Sequence, residues 1–290
     1  MRRSTTLALV MMIGLSLPSV AQAGPWSPEP GHGYVKLWIK YFYGFTYLAG
    51  DGTAHALAYQ EANLSAYAEL GLAPRVALVL HSPIVQSFTL EDPRNGTWES
   101  HLSPGDPALS LRWQFLAVDR FVAAVEAGAR APFARPGTVQ TVYSRSEGNP
   151  AIGALRVGTG VWDFPITLGV GYGADQFYLA GSVGWVMRTD GYDHALTWSL
   201  EGGTTVERLW GIRGRLVGWH AVHAYFGEPQ PGHESPSGIG NGTSYTGFAL
   251  EMDYQFQPSW FAGVTIEGGT GLLVRQAGGP VITLYVATRF

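Results

Sequence analysis

Val281-Ile-Thr-Leu-Tyr-Val-Ala-Thr-Arg-Phe290 closes the chain. Counting back from Phe290, Thr288, Val286, Leu284 and Ile282 fall on one parity, while Arg289, Ala287, Tyr285 and Thr283 fall on the other. One set is mostly apolar and the other carries the charge, and a period of two is that of a strand with two different faces.

The same period recurs upstream. From Tyr34 to Phe45 the odd positions Val35, Leu37, Ile39, Tyr41 and Tyr43 are apolar, while Lys36 and Lys40, the only lysines, share the other face. Comparable segments follow over 57–70, from Arg75, over 106–117, 121–131, around Ile166 to Tyr172, over 177–188, 195–206, 210–222, around Phe248 to Tyr254 and around Trp260 to Glu267. Short connections at Pro74, Asp119, Asp175, Glu207 and Pro258, most of them bearing Pro or Asp, alternate with longer ones such as Thr89 to Pro104, Pro132 to Gly160 and Phe226 to Gly242. Ile152 to Val157 reads as an extension of strand inside the longest of these.

This makes twelve alternating segments with no helical period and no repeat of domain size. An even number of strands, with short turns at one rim and long loops at the other, is what an antiparallel transmembrane β-barrel requires, because an open sheet edge cannot face lipid. The expected fold is therefore all-β, a single up-and-down barrel over residues 24–290 with short periplasmic turns and long extracellular loops. A soluble sandwich would also alternate, but it would bury one face, and here the charges gather on one face and the large aliphatics on the other.

Composition agrees. Charged residues make up 14% of the chain, against roughly 25% in soluble domains. Gly (39), Tyr (14) and Trp (10) are abundant, as tight turns and aromatic girdles demand. Arg2 and Arg3, the apolar run Leu7 to Leu17 and the small-x-small step Ala21-Gln22-Ala23 read as a signal peptide, Met1 to Ala23, cleaved after Ala23 on export. That apolar run is shorter than the roughly 20 residues of a spanning helix. Net charge is −4, and −6 without Arg2 and Arg3, so no basic surface recruits nucleic acid. Cysteine is absent, which excludes disulfides and thiolate chemistry.

A terminal strand ending in an aromatic residue resembles that of bacterial outer-membrane barrels, where Phe290 would be the sorting and assembly signal read by the barrel-assembly machinery. Tyr67-Ala-Glu-Leu-Gly-Leu-Ala-Pro-Arg75, Gly105-Asp-Pro-Ala-Leu109 and Arg130-Ala-Pro132, together with that strand, resemble the outer-membrane channels named for the MetA pathway of phenol degradation. The resemblance implies a transporter-like barrel among outer-membrane lipids, passing small, hydrophobic or aromatic solutes.

If the polar faces line a lumen, the candidate lining residues are Lys36, Lys40, Glu61, Glu69, Arg75, Arg112, Glu126, Arg130, Glu201, Arg213, Arg215, Glu251, Asp253, Glu267 and Arg289. Lys36 and Lys40 neighbour the strand of Glu61 and Glu69, Glu69 faces Arg75 across a tight turn, and Arg112 neighbours Glu126. Glu201, then Arg213 and Arg215, then Glu251 and Asp253, then Glu267 alternate in sign over four successive strands. Opposed charges across strands stabilise a polar interior, and rings of them set solute selectivity. The same residues would serve as a purely structural ladder in a narrow lumen.

Two other chemistries compete. His81-Ser82 suggests a lipid-face hydrolase, but adjacent strand residues face opposite sides unless a bulge at Pro83 turns one of them. His220, His223 and His233 suggest a metal site, but no ligand spacing supports it. The reading is a barrel without catalytic residues, metal or cofactor, and a non-transporting structural barrel is its rival.

Overall fold

The computed structural model describes residues 24–44, 47–48, 54–55, 59–92, 97–134, 138–140, 154–156, 158, 160–223, 244–270 and 281–290. The expected signal segment and His233 lie outside them, as does all of 224–243.

Twelve strands form the wall: β1 (Gly33–Gly44), β2 (Tyr59–Ala73), β3 (Val76–Asp92), β4 (Ala108–Val118), β5 (Phe121–Arg130), β6 (Asp163–Gly173), β7 (Phe177–Arg188), β8 (Ala195–Val206), β9 (Trp210–Ala221), β10 (Ser244–Gln257), β11 (Trp260–Thr270) and β12 (Val281–Arg289). Each pairs antiparallel with the next, and β12 pairs with β1 from Tyr34↔Arg289 to Phe42↔Val281. The sheet is therefore closed, and no barrel edge is left with unpaired backbone groups. The connections after β2, β4, β6, β8 and β10 are two or three residues long and share one rim with the C-terminus, the periplasmic rim of such a barrel.

The parity read from sequence sorts the two faces. Ile39 (59% exposed), Leu284 (61%) and Leu250 (58%) point outward with the other apolar positions of their strands, while Glu69, Arg112 and Asp253 are buried inside. An apolar surface that encircles the molecule exceeds the few hundred Å² a soluble monomer exposes, so lipid is its solvent.

Two elements depart from the sequence reading. The long connection Thr89 to Pro104 carries strand on both sides of residues 93–96: β3 runs on to Asp92, and Thr97–Ser103 folds back along Gln86 to Asp92. Asn95-Gly96 between two β-rich runs is a hairpin signal outweighed by the local polarity. Within the longest loop, Ala154–Arg156 pairs with Thr138–Gln140 in a separate two-stranded ribbon instead of extending a barrel strand.

Candidate functional site: the lumen

Inside the barrel lies a cavity of about 1290 Å³. Its floor is a strap, residues 24–32, that enters from the short-turn rim. Arg112 Nη1 donates to the Trp26 carbonyl at 2.9 Å, and the Ser27 amide donates to Gln114 Oε1 at 2.9 Å. The Trp26 ring meets Tyr178 edge-on at 5.8 Å and lies over Gly171, where a Cβ would fall 2.6 Å from the indole. The Gly31 amide donates to the Gly71 carbonyl at 2.9 Å, and the Gly71 amide donates to the His32 carbonyl at 2.9 Å. The strap has no apolar period, so alternation could not reveal it; the proline and tryptophan just ahead of β1 are the only signal in the sequence.

Around the strap the charges are closely paired. Arg112, 5% exposed, bonds Glu69 at 2.9 Å and Glu126 at 2.8 Å, and Tyr67 donates to Glu69. Arg213 holds Glu251 and, at 2.5 Å, Asp253. Tyr285 Oη lies 3.0 Å from both Glu251 Oε1 and Asp253 Oδ2, its single proton shared between them, and Thr265 donates to Glu251 at 3.0 Å. Lys36 closes the group, 2.7 Å from Glu251 and 3.7 Å from the centre of the Tyr285 ring. Tyrosine hydroxyls thus saturate carboxylate lone pairs that arginine leaves open, which lowers the cost of burying these ions.

Higher in the lumen Lys40 meets Glu61 at 2.6 Å, while Arg215 only reaches Glu201 at 4.0 Å. Glu201 is instead occupied by Tyr178 Oη at 2.5 Å. Trp38 and His81 stack with centroids 5.6 Å apart and planes 20° from parallel, across the small Ser65 of the strand between them. At the long-loop rim Asp163, fully buried, binds Arg130 at 2.8 Å and Arg188 at 3.0 Å, and Arg188 lies over Tyr192 and Trp219. This clamp ties the tops of β5, β6 and β7 together where the long loop leaves the wall. Asp106 receives the Ala134 amide at 2.7 Å beside it.

The expected lining residues Lys36, Lys40, Glu61, Glu69, Arg130, Glu201, Arg213, Arg215, Glu251, Glu267 and Arg289 border the cavity, and Arg112, Glu126 and Asp253 point inward beside it. Arg75 does not. It sits exposed in the β2–β3 turn at φ 67°, and Glu69 takes Arg112 as its partner, because the turn conformation swings the Arg75 side chain off the lumen face. The pairing expected of Lys36 also changes, since it reaches Glu251 of β10 and not the acids of β2. Asp163, Arg188, Asp106, Tyr67 and Tyr178 were not among the expected lining residues, although inward parity was the available signal; Tyr285, read on the polar face of its strand with Arg289, does turn inward.

The alternative chemistries are pulled apart. His81 opposes Tyr67 on the lumen face, whereas Ser82 opposes Ala66 on the outer face; the register shift lies beyond Pro83 and leaves both in place. His220 accepts from the Trp198 indole at 3.0 Å on the outer surface, and His223 contacts Asp193 at 3.1 Å. Among the described residues no three His, Asp or Glu side chains converge as metal ligands.

No family model matches the chain, and no curated protein matches it in sequence. Among solved structures it is similar to an outer membrane channel of Pseudomonas putida F1, with a TM-score of 0.65 and 12% identity over 93% of this chain and 100% of that one. The NanC porin aligns with a TM-score of 0.48 and 9% identity over 88% of this chain and 100% of that one. The toluene transporter TodX of Pseudomonas putida aligns at 0.46 and 7% over 90% of each. At these identities the likeness shows the fold, a closed outer-membrane-type barrel, and the two weaker alignments carry no argument.

Proposed function

We propose that this chain is an outer-membrane channel for small hydrophobic or aromatic solutes, with selectivity set by the charged lumen. The observation that carries the reading is the cavity itself. A barrel that only stiffens a membrane has no need of about 1290 Å³ of interior bordered at once by ionic side chains and by the Trp38–His81 ring pair. Flat rings suit aromatic solutes, and the balanced charges around them hold water and orient a polar substituent. The resemblance of the Tyr67–Arg75, Gly105–Leu109 and Arg130–Pro132 stretches to channels named for phenol degradation supports the solute class, and the outer membrane channel with the same fold supports the mode of action. The C-terminal strand, ending in Phe290, would be the handle for the barrel-assembly machinery, and Met1 to Ala23 the export signal.

The test is reconstitution. Planar bilayers should show single-channel currents whose ion selectivity shifts on Arg213→Ala or Glu251→Ala, and liposomes should take up phenol faster with the barrel than without it. A correctly inserted barrel that neither conducts nor takes up solute overturns the reading.

A further inference from the structure

One row of the lumen wall differs from its neighbours. The register places Arg215 of β9 opposite Ala249 of β10, and Ala249 opposite Glu267 of β11. An acid and a base thus flank a methyl group across two strand spacings, about 10 Å between their backbones. All three residues border the cavity. In the adjacent row Arg213 sits directly opposite Glu251 and binds it, with Asp253 as a second partner. In the Arg215 row the equivalent pairing is missing. The Arg215 side chain is 41% exposed and has only the 4.0 Å approach of Glu201, which Tyr178 already holds. Glu267 makes no hydrogen bond or ion pair with any described residue, and Lys40, whose field it shares, is held by Glu61.

We propose that Arg215 and Glu267, separated by the Ala249 notch, form a binding subsite for a small zwitterion of the amino-acid type, carboxylate toward Arg215 and ammonium toward Glu267. The subsite rests on the channel reading and narrows its solute class. A planar guanidinium takes a carboxylate in two parallel hydrogen bonds, and a carboxylate takes an ammonium donor. Singly charged solutes fare worse on both sides. An anion placed at Arg215 meets the repulsion of Glu201 and Glu267, and a cation placed at Glu267 meets Arg215 and Lys40. A ligand carrying both charges gives each group an opposite partner, and its own ammonium and carboxylate offset the like charges that a singly charged solute meets uncompensated. The Trp38–His81 stack borders the same cavity and suits an aromatic side chain on such a ligand.

Titration calorimetry on the full-length chain refolded in detergent tests this with four probes of one shape: L-phenylalanine, 3-phenylpropanoate, 2-phenylethylamine and 2-phenylethanol. L-Phenylalanine should bind about tenfold more tightly than either singly charged analogue. Arg215→Gln should reduce its affinity to that of the amine, and Glu267→Gln to that of the acid, both with unchanged heat-modifiable mobility. Equal affinity for all four probes, absence of binding, or wild-type affinity in both folded variants overturns the proposal. The channel reading is scored separately by conductance. A barrel that conducts but fails to discriminate loses only the subsite, and one that binds L-phenylalanine but never conducts or passes phenol loses only the channel.

Discussion

The two ends of the lumen use similar side chains to different effect. Toward the short-turn rim the central ions are crowded by partners: Arg112 touches Glu69, Glu126 and the strap, and Glu251 touches Arg213, Lys36, Tyr285 and Thr265. Toward the long-loop half Asp163 and Lys40 are still paired, but Arg215 is loosely held and Glu267 has no hydrogen-bond or ion-pair partner among the described residues. Charge in a barrel is therefore not one feature. Saturated clusters act as the packed core of a protein whose outer face must be apolar, and unsaturated ones are free to meet a solute.

The contrast breaks most severely at Arg112. Arg112→Ala strands Glu69, whose side chain is 7% exposed, and should cost about 3–5 kcal/mol, the usual penalty for a buried charge without its partner. Urea unfolding followed by heat-modifiable mobility measures the loss. Because the same guanidinium holds the Trp26 carbonyl, the surviving folded fraction should also conduct more in planar bilayers. Conductance equal to wild type would show that the strap is held by its other contacts alone. Pairing Arg112→Met with Glu69→Gln should recover much of the stability, since no buried charge then faces Glu69's position.

The seam comes next. Phe290 exchanges backbone hydrogen bonds with Gly33 at 3.1 and 3.0 Å, and its ring lies where a Gly33 Cβ would sit, 2.6 Å from Cζ. Deleting Phe290 removes this latch between the first and last strands and should lower the yield of heat-modifiable barrel in membranes. Normal yield would count against the seam as the point of closure.

How much of this could be read beforehand follows from what strand parity encodes. Each barrel strand was legible because the choice between lipid and lumen is made at every second residue, so Leu284 and Tyr285 declare opposite faces without any partner. Partners were less legible. Arg112 and Glu126 lie on strands joined by a short turn, which fixes their offset, whereas Arg213 and Glu251 lie on consecutive strands joined by a long loop and were legible only as neighbours of opposite sign. Lys36 with Glu251 depends on closure, which brings β1 beside β12 and within reach of β10. Trp26 carried no periodic signal, and its position depends on space left by Gly171 in a distant strand.

Glu251 and Arg215 sharpen the comparison at smaller scale. Glu251→Ala removes the shared acceptor of Lys36 and Arg213 and should destabilise by about 2–3 kcal/mol, discounted from a fully buried pair because the side chains are partly exposed. Arg215→Ala should cost under about 1 kcal/mol, as for an exposed ion pair. Reversal potentials in a salt gradient should move toward anions in the first and toward cations in the second. A large stability loss in Arg215→Ala would place it with the saturated cluster.

The smallest effect lies outside the lumen, in the β8–β9 turn. The Leu209 amide donates to the Val206 carbonyl at 3.2 Å, and the two residues between, Glu207 and Arg208, have φ of 52° and 61°. Both central residues are left-handed, as in the type I′ hairpin turn that favours Asn-Gly. A side chain there costs roughly 1–2 kcal/mol, against roughly 0.5–1 kcal/mol of extra chain entropy that glycine loses on folding. Arg208 is exposed and makes no ion pair among the described residues, so Arg208→Gly forfeits little and should stabilise the barrel by about 0.5–1 kcal/mol. Conductance should not change, because the turn is remote from the cavity lining. A loss of stability in the urea midpoint would mean that the Arg208 charge at the membrane rim outweighs the backbone strain.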